Sequence, residues 1–464
     1  MTELGPEVLD WIERVTGGRD VETQLVTSGG RLGYRVDVTV DGARRPLFLQ
    51  RGRNPGTGSF MGFAREAEVY RALEPLGVKV AHVWGVDEAL NVLLVDRLDG
   101  TVWFQEPPDP QQQVRIAQDF IRQIARWHAT PAAELALPSF HPVRSAAEHQ
   151  REQLKGIRTL FEEEDARRPI DLLARVTLEH LERHIPAYDG PAVLCQGDTG
   201  PGNFLYKGDE VVGVVDWELA HLGDPMDDIA WLSWRATQHG FPDFPARMRE
   251  YEALSGIQVV ADRVHYYRVN ACARLGPRFG LADMGEGSLY RPGGAQDGQP
   301  NDRVADGSQM LMTMLHRRMR LTALAAVLGI EPPSRYVTEE AEPREHAQIF
   351  DTVLAQLQTM VPMIAERKAS ALAKGVARQV KYLKEIDRNA HLFEARELAD
   401  ISRLLGRTVG STAEGRPALA EAAREGKVGL EGYFHYHWNR MVRDDHMMRE
   451  ASGRMYQRAW PALS

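Results

Sequence analysis

The chain is short of several things, and each shortage narrows what it can be. It has two cysteines in 464 residues, Cys195 and Cys272. A single pair is no disulfide framework, so both read as reduced core residues. No apolar run reaches the roughly 18 residues that a membrane span needs. Basic residues are not in surplus: 56 Lys and Arg face 65 Asp and Glu, a formal charge of -9. This balance argues against broad nucleic-acid binding, and neither a nucleic-acid nor a membrane partner is expected. The opening residues MTELGPEVLDWIERV are acidic and lack an apolar core, so no signal peptide is expected and a cytoplasmic location is the default.

What is present is an ordinary globular balance, 43% hydrophobic and 26% charged, in a chain long enough for two or three domains. The spacing predicts a short amphipathic helix over Pro6 to Val15. A hairpin over Val21 to Val40 follows, turning at Ser28-Gly29-Gly30, with a third strand at Pro46 to Arg51. Phe63 to Leu73 has a helical period, and Val83 to Val86 and Val92 to Asp96 read as two more strands. From Pro110 the pattern turns helical, except for strand, loop, strand, turn, strand over Val193 to Glu218. Met284 to Gly307 is a Gly- and Pro-rich loop without periodicity, and a helix at Ser308 to Leu328 ends the main body. Beyond Glu331-Pro332-Pro333, apolar residues recur at helical spacing: Ile349, Val353 and Leu357, then Leu372, Val376, Val380, Leu383 and Ile386, then Leu398, Ile401 and Leu405. Such stripes must be buried, so residues 335–464 are expected to form a helical bundle.

One stretch carries chemistry. Gln196-Gly197-Asp198-Thr199-Gly200-Pro201-Gly202-Asn203 puts an Asp and, five residues on, an Asn on a glycine-containing loop between strands. Val214-Val215-Asp216-Trp217-Glu218 supplies a second acid at a strand end. Phosphoryl transfer needs a carboxylate beside the attacking hydroxyl and oxygen ligands for Mg2+ on the nucleotide phosphates. Each residue alone is a weak signal; the trio is a strong one.

These segments, with Gly223-Asp224-Pro225 and Asp228 after them, resemble the aminoglycoside phosphotransferase and choline kinase family over about residues 20–330. The resemblance implies an α+β, protein-kinase-like two-lobe fold: a small antiparallel β N-lobe (1–100), a mostly helical C-lobe (101–330), then the C-terminal helical bundle (335–464). It implies ATP and Mg2+, with Asp198 as base and Asn203 and Asp216 as metal ligands. Ser28, Gly29 and Gly30 take the place of the nucleotide loop. Glu66 resembles the acid that pairs with the phosphate-binding cation, and the segment from Asp96 the adenine hinge. The family's catalytic-loop His is Gln196 here, whose amide can also donate and accept. The strand that often supplies a Lys has Arg51 as its expected cation.

The run Asp-Trp-Glu-Leu-Ala-His-Leu-Gly-Asp-Pro is closest to a branch linked with acyl-CoA metabolism, which includes 4-hydroxyacyl-CoA kinases. The tail around Phe393 to Leu398 resembles a small helical protein encoded beside such kinases. The expected acceptor is therefore a hydroxyacyl-CoA or related hydroxy acid, with a homodimer or an acyl-CoA enzyme as conceivable partner. An antibiotic or choline-like kinase is the alternative; a nucleotide-binding pseudokinase, motivated by Gln196 and the missing strand Lys, is a third. His316, Arg317, Arg318 and Arg320 are read as a solvated basic helix face in preference to a contact for CoA phosphates, and His435 to Trp438 are expected to pack.

Overall fold

The computed structural model describes residues 4–28, 31–53, 61–104, 109–167, 169–279 and 308–464. The expected nucleotide-loop glycines Gly29 and Gly30, and the loop Met284 to Gly307, lie outside them. The described chain divides into two compact units, residues 1–152 with 186–267 and 460–464, and residues 153–185 with 268–459.

The first unit opens with α1 (Pro6–Thr16), which starts on a proline and ends at Gly17 in the left-handed region. Next come β1 (Arg19–Ser28), β2 (Arg31–Val40), β3 (Ala43–Gly52), α2 (Phe63–Leu73), β4 (Val83–Asp87) and β5 (Val92–Asp96). The strands form one antiparallel sheet in the order β1-β2-β3-β5-β4. Strand alternation gives it two faces. Tyr34, Val36, Val38, Leu47, Leu49, Val92 and Leu94 pack with Val8, Trp11 and Ile12 of α1. Register pairs Arg31 with Gly52 and Gly33 with Gln50, so Arg31 and Gln50 share the opposite face. Arg51 falls on the Leu47 and Leu49 side.

Helices then take over: α3 (Pro110–His128), α4 (Ala146–Arg167) and α5 (Leu172–Arg183). Asp109 caps α3 through the amides of Gln111 and Gln112. Short strands β6 (Val193–Cys195), β7 (Phe204–Lys207), β8 (Glu210–Val214) and β9 (His221–Gly223) carry the loops of interest, with β6 paired to β9 and β7 to β8. After them come α6 (Pro225–His239), α7 (Phe244–Ser255) and α8 (Ala261–Phe279). Asp224 caps α6 through Met226 N, and this helix buries Trp231 and Trp234. Trp460 returns to pack on Trp234, with ring centroids 5.6 Å apart.

The second unit contains α9 (Ser308–Leu328), α10 (Ala347–Met360), α11 (Arg367–Leu405), α12 (Thr412–Arg424) and α13 (Leu430–Met447). The tail is helical as expected, but its buried faces match the expected apolar stripes only in part, at Ile401. In α10 no residue is buried, and Ile349 is 62% exposed. In α11 Leu372, Val376 and Leu383 are exposed, while Glu385, Asn389, Phe393, Glu397 and Ile401 are buried at a spacing of four. The polar members face partners that an apolar stripe could not satisfy. Arg416 forks onto Glu397 with two bonds of 2.8 Å, and Tyr436 Oη donates to it at 2.8 Å. Nor do the arginines of α9 form a solvated face. Arg317 pairs with Asp444 at 2.6 Å, and Arg318, 4% exposed, with Asp445 at 2.6 Å. They fasten α9 to α13. Around His435 the expected packing holds: Tyr436, His437 and Trp438 are buried.

Burial would raise the Glu397 carboxyl, but the bonds from Arg416 and the charges of Arg440 and Arg416 hold it down at about 2. Its folded value is depressed, so its stabilising contribution is present above the ordinary value of 4.5 and is lost as pH falls towards 2. Glu397→Gln should therefore destabilise the second unit by about 3 kcal/mol at neutral pH. The gap to wild type should close between pH 4.5 and about 2, as read by hydrogen exchange in α11 and α13.

Candidate active site

The loop between β6 and β7 is hung from one buried carboxylate. Asp228 of α6 is fully buried and receives the amides of Gln196 (2.8 Å) and Gly197 (2.9 Å), with His128 Nε2 at 3.1 Å. His128 Nδ1 meets Tyr251 Oη at 2.9 Å. Burial alone would raise Asp228; the bonds from His128 and the two amides win and hold it below the usual carboxylate range. His128, Cys195 and Asp228 are close enough to hold an ion. The bonds to both Asp228 oxygens make this cluster a brace. Gly197 has φ +82°, and a Cβ there would fall 2.3 Å from Leu219 O, so no side chain fits where the loop leaves the strand.

Gln196 meets the expectation placed on it. Its Nε2 donates to Val215 O (3.0 Å) and Asp216 O (2.9 Å), and its Oε1 accepts from Asp198 N (3.0 Å). One side chain thus ties the Asp198 loop to the Asp216 loop. Val215 N donates to Asn203 O at 2.9 Å and adds a second tie.

Asp198, Asn203 and Asp216 are brought together as expected. Asn203 Nδ2 donates to Asp198 O (2.7 Å) and Oδ2 (2.8 Å), so its carboxamide oxygen takes no part in these bonds. Asp216 stands at φ +64°, a costly conformation for a non-glycine residue that collects at functional sites. Oxygen donors from a carboxamide and a carboxylate are the hard set that Mg2+ takes.

The cation facing these acids is not Arg51. Glu66, fully buried in α2, takes Arg31 Nη1 at 3.2 Å on each oxygen. Arg31 Nη2 also binds Asp216 and lies 3.2 Å from Glu218, and Nη1 bonds Gln50 Oε1. Arg51, on the α1 side of the sheet, has no ion pair among the described residues. Alternation from buried Tyr34, Val36 and Val38 turns Arg31 to the other face, a signal the sequence contained. The three acids hold the Arg31 guanidinium above its ordinary value against burial. Burial first, then the Asp216 charge, push Glu218 up to about 7.

Asp96 ends β5, but its carboxylate accepts from Trp84 Nε1 at 2.7 Å, and the amides of Asp96 and Arg97 donate to His82 O (2.9 Å) and Pro46 O (3.1 Å). Ser28 ends β1. Sequence reasoning also missed Arg235 of α6, whose Nε donates to Asp198 Oδ1 at 2.8 Å and whose Nη2 donates to Oδ2. It lies 37 residues after Asp198 in sequence, with nothing local to mark it.

Residues 23–263 match the model of a phosphotransferase enzyme family. Among solved structures, one from Ralstonia eutropha, described as an aminoglycoside phosphotransferase, is 18% identical. The match covers 69% of this chain and 96% of that one, with a TM-score of 0.51. A macrolide 2'-phosphotransferase from Brachybacterium faecium is 18% identical over 71% of this chain and 99% of its own, with a TM-score of 0.44. At such identity the first likeness speaks to the fold alone, a kinase-like one. The family match spans more than half of the 464 residues and runs through every loop just described, so the chain belongs to the phosphotransferase enzyme family, which transfers phosphoryl groups to hydroxyls of small molecules.

Proposed function

We propose that this phosphotransferase acts on a hydroxyl of a hydroxyacyl-CoA or a related hydroxy acid, with Asp198 receiving the hydroxyl. The observation that carries the chemistry is the convergence of Asp198, Asn203 and Asp216 on loops tied through Gln196. The support for the acceptor is the sequence resemblance of the Asp216 to Pro225 run and of the helical tail, residues 335–464, to proteins of acyl-CoA metabolism.

Enzymes of this family use ATP and Mg2+. Asn203 and Asp216 would hold the metal, which when bound neutralises charge on the transferred phosphoryl group. The chain's own residues do the rest. Asp198 orients the hydroxyl and accepts its proton. Glu66 steadies Arg31, which grips nucleotide phosphates in place of the strand lysine. Arg31 sits on Asp216 and Glu218 here, so nucleotide binding must draw it across to the phosphates.

The second reading, an antibiotic kinase, is favoured by the solved structures named above, which include a macrolide 2'-phosphotransferase. Cys195 and Cys272 are free and buried, and no described helix is long and apolar enough to cross a membrane.

Two measurements test this. ADP release from Mg-ATP is followed with 4-hydroxyvaleryl-CoA, 3-hydroxyacyl-CoAs, free hydroxy acids, choline, an aminoglycoside and a macrolide. Turnover is expected on a hydroxyacyl-CoA or hydroxy acid, lowered about 100-fold or more in Asp198→Ala, whose ATP binding persists. Turnover confined to an antibiotic or choline would discard the acyl assignment. Separately, Arg31→Gln should raise KM for ATP by about tenfold, the share of one charge-assisted contact. Because Arg31 and Gln50 touch, the exchange Arg31→Gln with Gln50→Arg should restore part of the loss, whereas Arg51→Gln should leave KM unchanged. A loss in Arg51→Gln equal to that in Arg31→Gln would return the cation to β3.

A further inference from the structure

Asp198 is not a free-standing carboxylate. Arg235 Nε occupies one direction of Oδ1, and Oδ2 takes both Arg235 Nη2 and Asn203 Nδ2. A carboxylate offers about four lone-pair directions. Three are filled, so an incoming hydroxyl is received at Oδ1, beside Arg235.

The same count runs over the guanidinium. A planar guanidinium has five N–H groups in a fixed fork. Arg235 turns its Nε/Nη2 edge to Asp198. The other edge, Nη1 with the second Nη2 hydrogen, makes no bond to the described residues. The side chain keeps 21% of its exposure, so that edge is within reach of a ligand. The loop is shaped for this arginine. Gly200 stands at φ +142°, and a Cβ there would fall 2.4 Å from Arg235 Cβ. At Gly202 a Cβ would fall 3.6 Å from Arg235 Nη1. Two glycines let α6 press the arginine stem against the loop and leave room beside Nη1.

We propose that Arg235 reads the acceptor: its open edge takes a carboxyl-type oxygen, carboxylate or thioester carbonyl, a few bonds from the hydroxyl received at Asp198 Oδ1. This deepens the phosphotransferase reading above and rests on it. A carboxylate suits the two-donor edge in parallel bonds, and a thioester carbonyl takes one of them. An ammonium in that position meets a guanidinium and is repelled. Arg235 has a second effect, since it also positions Asp198. Variants will therefore lower kcat on every acceptor, and the specificity claim lives in the ratio between acceptors.

The test uses the full chain, saturating Mg-ATP and four acceptors on one carbon skeleton: 4-hydroxybutyrate, 4-hydroxybutyryl-CoA, butane-1,4-diol and 4-aminobutan-1-ol. Wild type should favour a carboxyl-type acceptor over the diol and the amino alcohol by about tenfold or more in kcat/KM, the share of one or two charge-assisted hydrogen bonds. Whether the acid or the thioester leads tells the two sources apart. Arg235→Gln should erase the preference through KM, and Arg235→Lys should keep part of it. Equal or better use of the amino alcohol by wild type, or an unchanged preference in Arg235→Gln, overturns the proposal. Silence on all four removes the acceptor reading above. Arg235 is then judged by binding, from NMR titration of 4-hydroxybutyrate and 4-hydroxybutyryl-CoA into the Mg-ADP complex. Binding lost in Arg235→Gln supports the proposal, and binding equal in both proteins or absent from wild type overturns it. Near-ultraviolet circular dichroism checks that the variants fold.

Discussion

A buried carboxylate without a partner is costly, and Asp228 is the point where this protein meets that constraint. Its oxygens take two consecutive amides of the catalytic loop and a histidine ring. Losing a buried partner of this kind costs about 1–3 kcal/mol per group. The loop is thus fixed at its start, before any substrate arrives. Asp198 directly follows the held amides, and the direction of its carboxylate descends from that anchor. α6 is therefore both scaffold and site: it supplies Asp228 to hold the loop and Arg235 to hold the carboxylate.

The same logic recurs across the first unit as charge placed against charge. Arg31 gathers Glu66, Asp216 and Glu218, acids from a helix and from the loop after β8. Three carboxylates around one guanidinium leave local negative charge in excess, which suits a divalent cation. Asp216 tolerates its left-handed backbone because Gln196 grips its carbonyl and Arg31 its side chain.

Most of the fold was legible in the sequence. The hairpin, the helix at Phe63 and the paired strands before Asp96 announced themselves by alternation and periodicity, which are local. The grouping of Asp198, Asn203 and Asp216 was legible because the three lie within 19 residues of one another on strand-flanked loops. The tail misled. Ile349 and Leu383 recur at helical spacing, yet α11 buries Glu385, Asn389 and Glu397 instead. A hydrophobic pattern ranks faces by solvation, and it cannot see that an arginine waits opposite a glutamate.

By itself, then, the sequence determined what depends on neighbours along the chain: element types, the sheet's two faces, the Asp198, Asn203 and Asp216 loops, and the ability of Gln196 to donate and accept at once. Strand facing already separates Arg31 from Arg51, but only the tertiary structure brings Glu66, Asp216 and Glu218 to the face that Arg31 occupies. It alone brought Arg235 to Asp198, since a helix packed under a glycine-bearing loop leaves no trace in local sequence. Hydrogen bonds and ion pairs act through a few ångströms of space, whatever the distance along the chain.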